Sequence, residues 1–192
     1  MEWDTFAIPP FEHMRTFEVI CFQYSMHILD DQQRVKHCEY LGYQDCRKEF
    51  IERLLQEIPK EGAIVAFNAD GAEKLRLKEL AIQYPEYEEA LDKLQDRMVD
   101  ISKPFLEGMA YDIKMSGRFS LKAIAHMVDP EIDYQEMQIT HGMDAVYQWR
   151  KMDKNHVTSN EVEKHLLTYC GQDSYALVKI YQWLCEQVKD KN

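Results

Sequence analysis

From Thr16 to Leu29 the chain runs TFEVICFQYSMHIL, fourteen residues without a glycine, a proline or a turn-forming pair. A run this long and this rich in β-branched and aromatic side chains is a strand, and a strand needs partners on its edges. DDQQ at 30–33 supplies a turn, and RVKHCEYL (34–41) reads as the returning strand. Ahead of the long run, EWDTF (2–6) alternates polar and apolar residues. The three segments predict an antiparallel meander.

The hydrophobic period then changes. CRKEFIERLLQEI places Phe50, Ile51, Leu54, Leu55 and Ile58 on one helical stripe. GAIVAFN (62–68) is wholly apolar up to Asn68, as in a strand buried on both faces. AEKLRLKELAIQY and PEYEEALDKLQ read as two helices, with Pro85 opening the second. MVDI is another short buried strand, and further helices are expected near 120–128, 143–152 and 159–187. No repeat, low-complexity tract or Gly/Ser linker interrupts this order, so residues 1–192 form a single domain. The expected fold class is α/β, with a mixed sheet of about five strands whose fourth strand is parallel to its first.

Net charge is −11, which disfavours holding nucleic acid by bulk electrostatics but suits a carboxylate-rich metal site. No apolar run approaches the ~20 residues of a membrane span, and the N-terminus carries no secretory pattern. A cytoplasmic protein without a membrane partner is expected. The five cysteines are odd in number and never form CxxC, which fits reduced thiols. His37, Cys38 and Cys46 match no zinc-finger spacing.

The acidic residues are placed suggestively. Glu2 and Asp4 alternate on the first strand and share a face. Glu73 follows the fourth strand at the start of a helix, and Asp173 lies on the last helix, four residues after Tyr169 and on its face. Four carboxylates from three segments are what a two-metal site requires. Each has an ordinary alternative: a solvated terminal pair for Glu2 and Asp4, a surface pair for Tyr169 and Asp173, and a plain turn for Asn68-Ala-Asp-Gly. Met109, Tyr111, Met115 and Trp149 are read as core rather than as a base-stacking platform. From Ile113 to Val128 there is no acid, and Lys114, Arg118, Lys122 and His126 make a candidate phosphate grip.

The segments EWDTFAIP, FQYSMHI, AFNADGAEKLRLKELA, RMVDI, SGRFSLKAI and YCGQDSYALV together resemble the DnaQ-like (DEDDy-type) 3′–5′ exonucleases of ribonuclease-H-like fold. Within them the likeness is strongest to an uncharacterised bacterial domain often found C-terminal to a RecB-like nuclease region, and it runs from Glu2 to about Leu184. The resemblance implies a five-stranded ribonuclease-H-like sheet flanked by helices. It also implies hydrolysis of phosphodiester bonds at single-stranded DNA or RNA ends. Two divalent cations, Mg²⁺ or Mn²⁺, would be held by Glu2, Asp4, Glu73 and Asp173. Tyr169 would orient the attacking water and help deprotonate it, while Asn68, Arg118 and Lys122 would contact nucleic acid. An upstream RecB-like region is the implied protein partner. Two departures stand out. Glu2-Trp3-Asp4 exchanges the acids of the family's Asp-x-Glu, and Glu73 lies five residues after Asn68, one more than usual, which makes Asp70 a second candidate ligand. The exchange favours an alternative: a catalytically degenerate domain that binds nucleic acid or a partner protein without cutting. The first strand begins directly after Met1, which suggests a piece of a longer protein.

Overall fold

A computed structural model describes residues 1–135, 137–152 and 157–189, with side chains from 160 onward in the last range. Strands β1 (Glu2–Thr5), β2 (Val19–Leu29) and β3 (Val35–Leu41) form an antiparallel sheet with β2 in the middle. Asp30 shapes the turn between β2 and β3: its Oδ1 accepts from the amides of Gln32 and Arg34, each at 2.9 Å, and its Oδ2 from Arg34 Nε at 2.7 Å. Such local carboxylate-to-backbone bonding is how Asp fixes tight turns.

Helix α1 (Arg47–Glu57) leads to β4 (Ile64–Ala66) and α2 (Glu73–Gln83). A 3₁₀ turn at Pro85–Tyr87 opens α3 (Glu88–Asp96), and β5 (Met98–Asp100) then pairs in parallel with β4. A short α4 (Lys103–Leu106) and a 3₁₀ turn at Ile113–Met115, neither expected from periodicity, precede α5 (Leu121–Val128). Helices α6 (Gly142–Arg150) and α7 (Val157–Lys189) follow.

Strand β2 divides the core between two layers, its alternation slipping at the irregularity opposite Glu2 and Trp3 so that Tyr24 falls on the side of Cys21. Val19, Cys21 and Tyr24 face α1, α2 and α3, meeting Phe50, Ile51, Leu77, Leu80 and Leu91. Ile20 and Phe22 face the other way, onto Ile124 of α5, Trp149 of α6, and Leu166, Ala176 and Ile180 of α7. Phe22 stacks on Trp149 with centroids 4.4 Å apart, and the indole N–H donates to the Gly42 carbonyl at 2.9 Å. Fully burying such side chains contributes ~1.5–3 kcal/mol each. Gly42 has to be glycine, because a β-carbon there would lie 2.4 Å from Cys46 Cβ.

The chain is therefore mixed α/β, with an antiparallel three-stranded sheet, a small parallel pair and flanking helices. The five strands arise where the hydrophobic pattern places them, but in two sheets: β1 is laddered to β2 alone, and β4 to β5. At Thr5 side chains take both backbone groups, the amide donating to Asp4 Oδ1 and the carbonyl accepting from Arg150 Nη2. The expected burial of β4 and β5 on both faces is not met either. With no third strand beside them, β4 is mostly half-buried and Val99 of β5 is 52% exposed. Of the four residues read as core, Met115 and Trp149 are buried, whereas Met109 and Tyr111 are exposed in the irregular stretch after α4. Among the described residues no helix is long and apolar enough to cross a membrane.

Candidate functional site

Glu2, Glu73 and Asp173 meet beside the layer formed by α5, α6 and α7. Glu2 opens β1 opposite Gln23, and a bulge between Glu2 and Trp3 shifts the register so that Trp3 faces Cys21. Its Oε2 lies 3.3 Å from where a β-carbon on Gly142, the first residue of α6, would stand. Glu73 is the first residue of α2, a position that favours a carboxylate through the helix dipole. Its Oε1 lies 3.6 Å from the Met1 nitrogen. Asp173 comes from the middle of α7.

These carboxylates feel one another. Burial lifts the Glu2 carboxyl from 4.5 to about 7; the Met1 amino group opposes the shift, Asp173 and Glu73 add to it, and Lys122 opposes it. Burial likewise raises Asp173, held back by the Tyr134 hydroxyl, the Lys122 ammonium, the Met1 amino group and the Tyr169 hydroxyl. Glu73 Oε2, Asp173 Oδ1 and the Tyr134 hydroxyl are all buried without a hydrogen-bond partner. Gln23, fully buried, donates its Nε2 to the Leu166 carbonyl at 2.7 Å and leaves its Oε1 unpartnered.

Tyr169 is buried and so is not half of a surface pair. Its ring is core, packed edge-on against Tyr134 at 6.5 Å. Its hydroxyl stands with the carboxylates. Burial, the charges of Asp173 and Glu2, the contact with Asp173 and the Cys170 thiol all raise its ionisation well above the usual phenol range. Lys122, in the first turn of α5, lies between the two rings, 4.8 Å from the Tyr134 centroid and 4.9 Å from that of Tyr169. Its ammonium donates to the Thr140 carbonyl.

The remaining candidates are dispersed. Asp4 does not join the other acids: it is buried and held by Arg150, with Nε to Oδ2 at 2.6 Å and Nη2 to Oδ1 at 2.7 Å. Asp70 is exposed and paired with Lys74 at 2.9 Å and Lys103 at 3.1 Å, apart from the group that Glu73 joins. Asn68 adopts φ 58°, donates its amide to Asp100 Oδ1 at 2.9 Å and caps a turn over Gly71. That is the conformation of a turn residue. Arg118 is exposed on the loop before α5. Tyr134 and Gln23 were not legible as site residues: Tyr134 lies in a stretch without periodicity, and Gln23 looks like any polar residue of a long strand.

Among the described residues no three His, Cys, Asp or Glu side chains are grouped so that they could hold a metal ion. What the site does offer is carboxylates buried around the Met1 amino group, with oxygens lacking a hydrogen-bond partner at Glu73, Asp173 and Tyr134. An open groove of about 570 Å³ lies elsewhere, between β3 and α7, lined by residues including His37, Glu39, Lys164 and Gly171. It touches none of the three carboxylates. The family profile described as Domain of unknown function (DUF2779) matches residues 2–120. No curated protein and no solved structure matches the chain.

Proposed function

We propose that this chain, which belongs to the family of the Domain of unknown function (DUF2779), is a metal-dependent 3′–5′ exonuclease acting on single-stranded DNA or RNA ends. One observation carries the proposal: Glu2, Glu73 and Asp173, from three separate segments, converge in a buried, mutually repelling group beside the Tyr169 hydroxyl. The order of the strands, three antiparallel and then a parallel βα pair, supports a ribonuclease-H-like core under that site.

The donor set fits a hard divalent cation, Mg²⁺ or Mn²⁺. A carboxyl raised by burial and by neighbouring acids, as Glu2 is, gains from a bound cation, and the unpartnered oxygens of Glu73 and Asp173 are ligands of the right chemistry. When held, such a cation supplies Lewis-acid stabilisation of charge on the phosphate. The chain's own groups do the rest. Tyr169 keeps its proton over the working range, so it orients a water by donating and accepting and does not serve as the base. Deprotonation of that water falls to the carboxylates. Lys122 brings a fixed positive charge to the same place.

One observation favours the degenerate alternative, binding without cutting: Asp4, a ligand under the family pattern, is closed off by Arg150. Single-stranded DNA and RNA labelled at the 5′ end decide between the two. The nuclease gives products shortened stepwise from the 3′ end, abolished by EDTA and by Asp173→Asn. Binding of the same strands with no shortening in Mn²⁺ would establish the alternative. Neither binding nor cleavage would overturn both.

A further inference from the structure

Among the described residues the antiparallel sheet ends in two unlike edges. The β1 edge is guarded: that strand has 4 residues, carries an irregularity beside Trp3, and at Thr5 gives both backbone groups to side chains. A short, bulged edge is one way proteins avoid pairing with another chain. Strand β3 is neither short nor bulged. Its 7 residues contain no proline or glycine, hold an unbroken register on β2, and are mostly exposed.

The turn fixes which way the β3 backbone faces. The Asp30 amide donates to the Arg34 carbonyl at 3.1 Å. Counting on from that pair by twos, the residues that exchange hydrogen bonds are Ile28 with Lys36, Met26 with Cys38, and Tyr24 with Tyr40. Val35, His37, Glu39 and Leu41 therefore turn their N–H and C=O groups away from β2. Among the described residues no strand or loop backbone bonds them on that side. Their side chains stand on the α7 face: His37 Nε2 is 2.8 Å from Ser25 Oγ, itself 2.8 Å from Ser174 Oγ of α7. His37 and Glu39 also line the open groove opposite Lys164 and Leu167.

We propose that this edge is a homodimer interface: β3 pairs antiparallel with β3 of a second copy across a two-fold axis at Cys38, joining the two sheets into one. The sequence of the strand selects that register. An axis at Cys38 pairs the whole strand, setting Val35 against the partner's Leu41, Lys36 against the partner's Tyr40 and His37 against the partner's Glu39. The outward-facing residues then meet one another, and their pairs carry about eight N–H···O bonds. No like charges face each other, and each imidazole has a carboxylate opposite it, which favours a cross-strand pair. An axis at Glu39 would set two carboxylates face to face, and one at His37 would leave Tyr40 and Leu41 beyond the end of the partner's strand. The partner's Glu39 also stands on the side where Lys164 lines the groove. An extended segment of another protein could use the same backbone groups, but the self-complementary order of side chains specifies the chain's own copy. The inference is independent of the exonuclease reading.

Sedimentation equilibrium at micromolar concentrations, together with crosslinking through the half-buried Cys38, tests it. The parent is a reversible dimer. At the axis the two Cys38 Cα atoms lie ~4.5 Å apart in a non-hydrogen-bonded pair, within disulfide reach, so diamide, reduced as it takes up the two thiol hydrogens, links the chains. Cys38→Ser abolishes the link and keeps the dimer, and Cys185→Ser keeps both. Glu39→Pro removes an N–H that only the second copy uses, and His37→Glu sets carboxylates opposite each other twice. Each weakens the dimer roughly tenfold or more. Should the proline variant fail to fold, His37→Glu, at an exposed position, carries the test. Mixing it with Glu39→Lys restores dimers, because a carboxylate then faces an ammonium. A monomeric parent would overturn the inference and leave the edge to an extended segment of another protein. A dimer without the Cys38 link, or one that His37→Glu leaves as tight as the parent, would overturn it as well.

Discussion

Replacing Glu2 by Gln should change the way the metal-free protein melts with pH. The Glu2 carboxyl ionises at about 7 in the fold against 4.5 when unfolded, because burial and the nearby Asp173 and Glu73 disfavour its charge. Its folded value is raised, so the stability tied to the neutral form is fully present below 4.5 and is lost as pH rises through about 7. At 1.36 kcal/mol per pH unit the interval corresponds to ~3 kcal/mol. For a chain of 150–250 residues, that is a melting shift of ~6–12 °C. Gln keeps the volume of Glu and cannot ionise. In EDTA, Glu2→Gln should melt several degrees above the parent at pH 8, with the gap closing toward pH 4.5. A lost or gained amide contact moves both pH values alike, so the informative quantity is the pH dependence of the gap. Scanning calorimetry from pH 4.5 to 8 measures it, and saturating Mn²⁺ at pH 8 should reverse its sign. Parallel melting curves for parent and variant across the range would refute the claim that Glu2 is buried among other acids.

Tyr169→Phe keeps the ring contact with Tyr134 and removes only the hydroxyl, so it should melt nearly as the parent does yet cleave ~10²-fold more slowly in a gel-based turnover assay, the cost of a misplaced water. Asp70→Asn, exposed and tied only to Lys74 and Lys103, should leave Mn²⁺-induced stabilisation intact, whereas Glu73→Gln should abolish it. Arg47, with a side chain 5% exposed and bonded to Asp45 and Gln83, should cost ~3–5 kcal/mol when changed to Met, and urea denaturation would show it. Phe22→Ala opens a void against Trp149 and should cost ~3–5 kcal/mol by the same measurement.

Period carried most of the secondary structure. The two-residue alternation of VICF sends Ile20 and Phe22 to one layer and Val19 and Cys21 to the other, and the 3.6-residue stripe of α1 fixes its buried face; Tyr24 joins the second layer through the register slip opposite Glu2 and Trp3, which period does not show. What period cannot show is which strand edge stays open. The separation of β1 from β4 accompanies side-chain bonds at Thr5 that come partly from Arg150, 145 residues away in the chain. The site was legible to the same extent. Helical spacing put Tyr169 beside Asp173, and the strand-to-helix turn brought Glu73 forward. Between Glu73 and Asp70 the sequence was silent, because Lys103, which helps hold Asp70 at the surface, comes from a helix 33 residues later. Asp4 was misplaced for the same reason: alternation gave its face correctly, but the guanidinium that occupies it lies at the far end of α6. Tyr134 had no periodic neighbours to reveal it.

The central claim is that Glu2, Glu73 and Asp173 are one cation site. A crystal of the full chain soaked in Mn²⁺, with diffraction collected at the manganese absorption edge, tests it most directly. The account predicts an anomalous peak bounded by those three carboxylates, with Asp4 still on Arg150. A peak lodged at other carboxylates, or none at a concentration that saturates binding in solution, would contradict it.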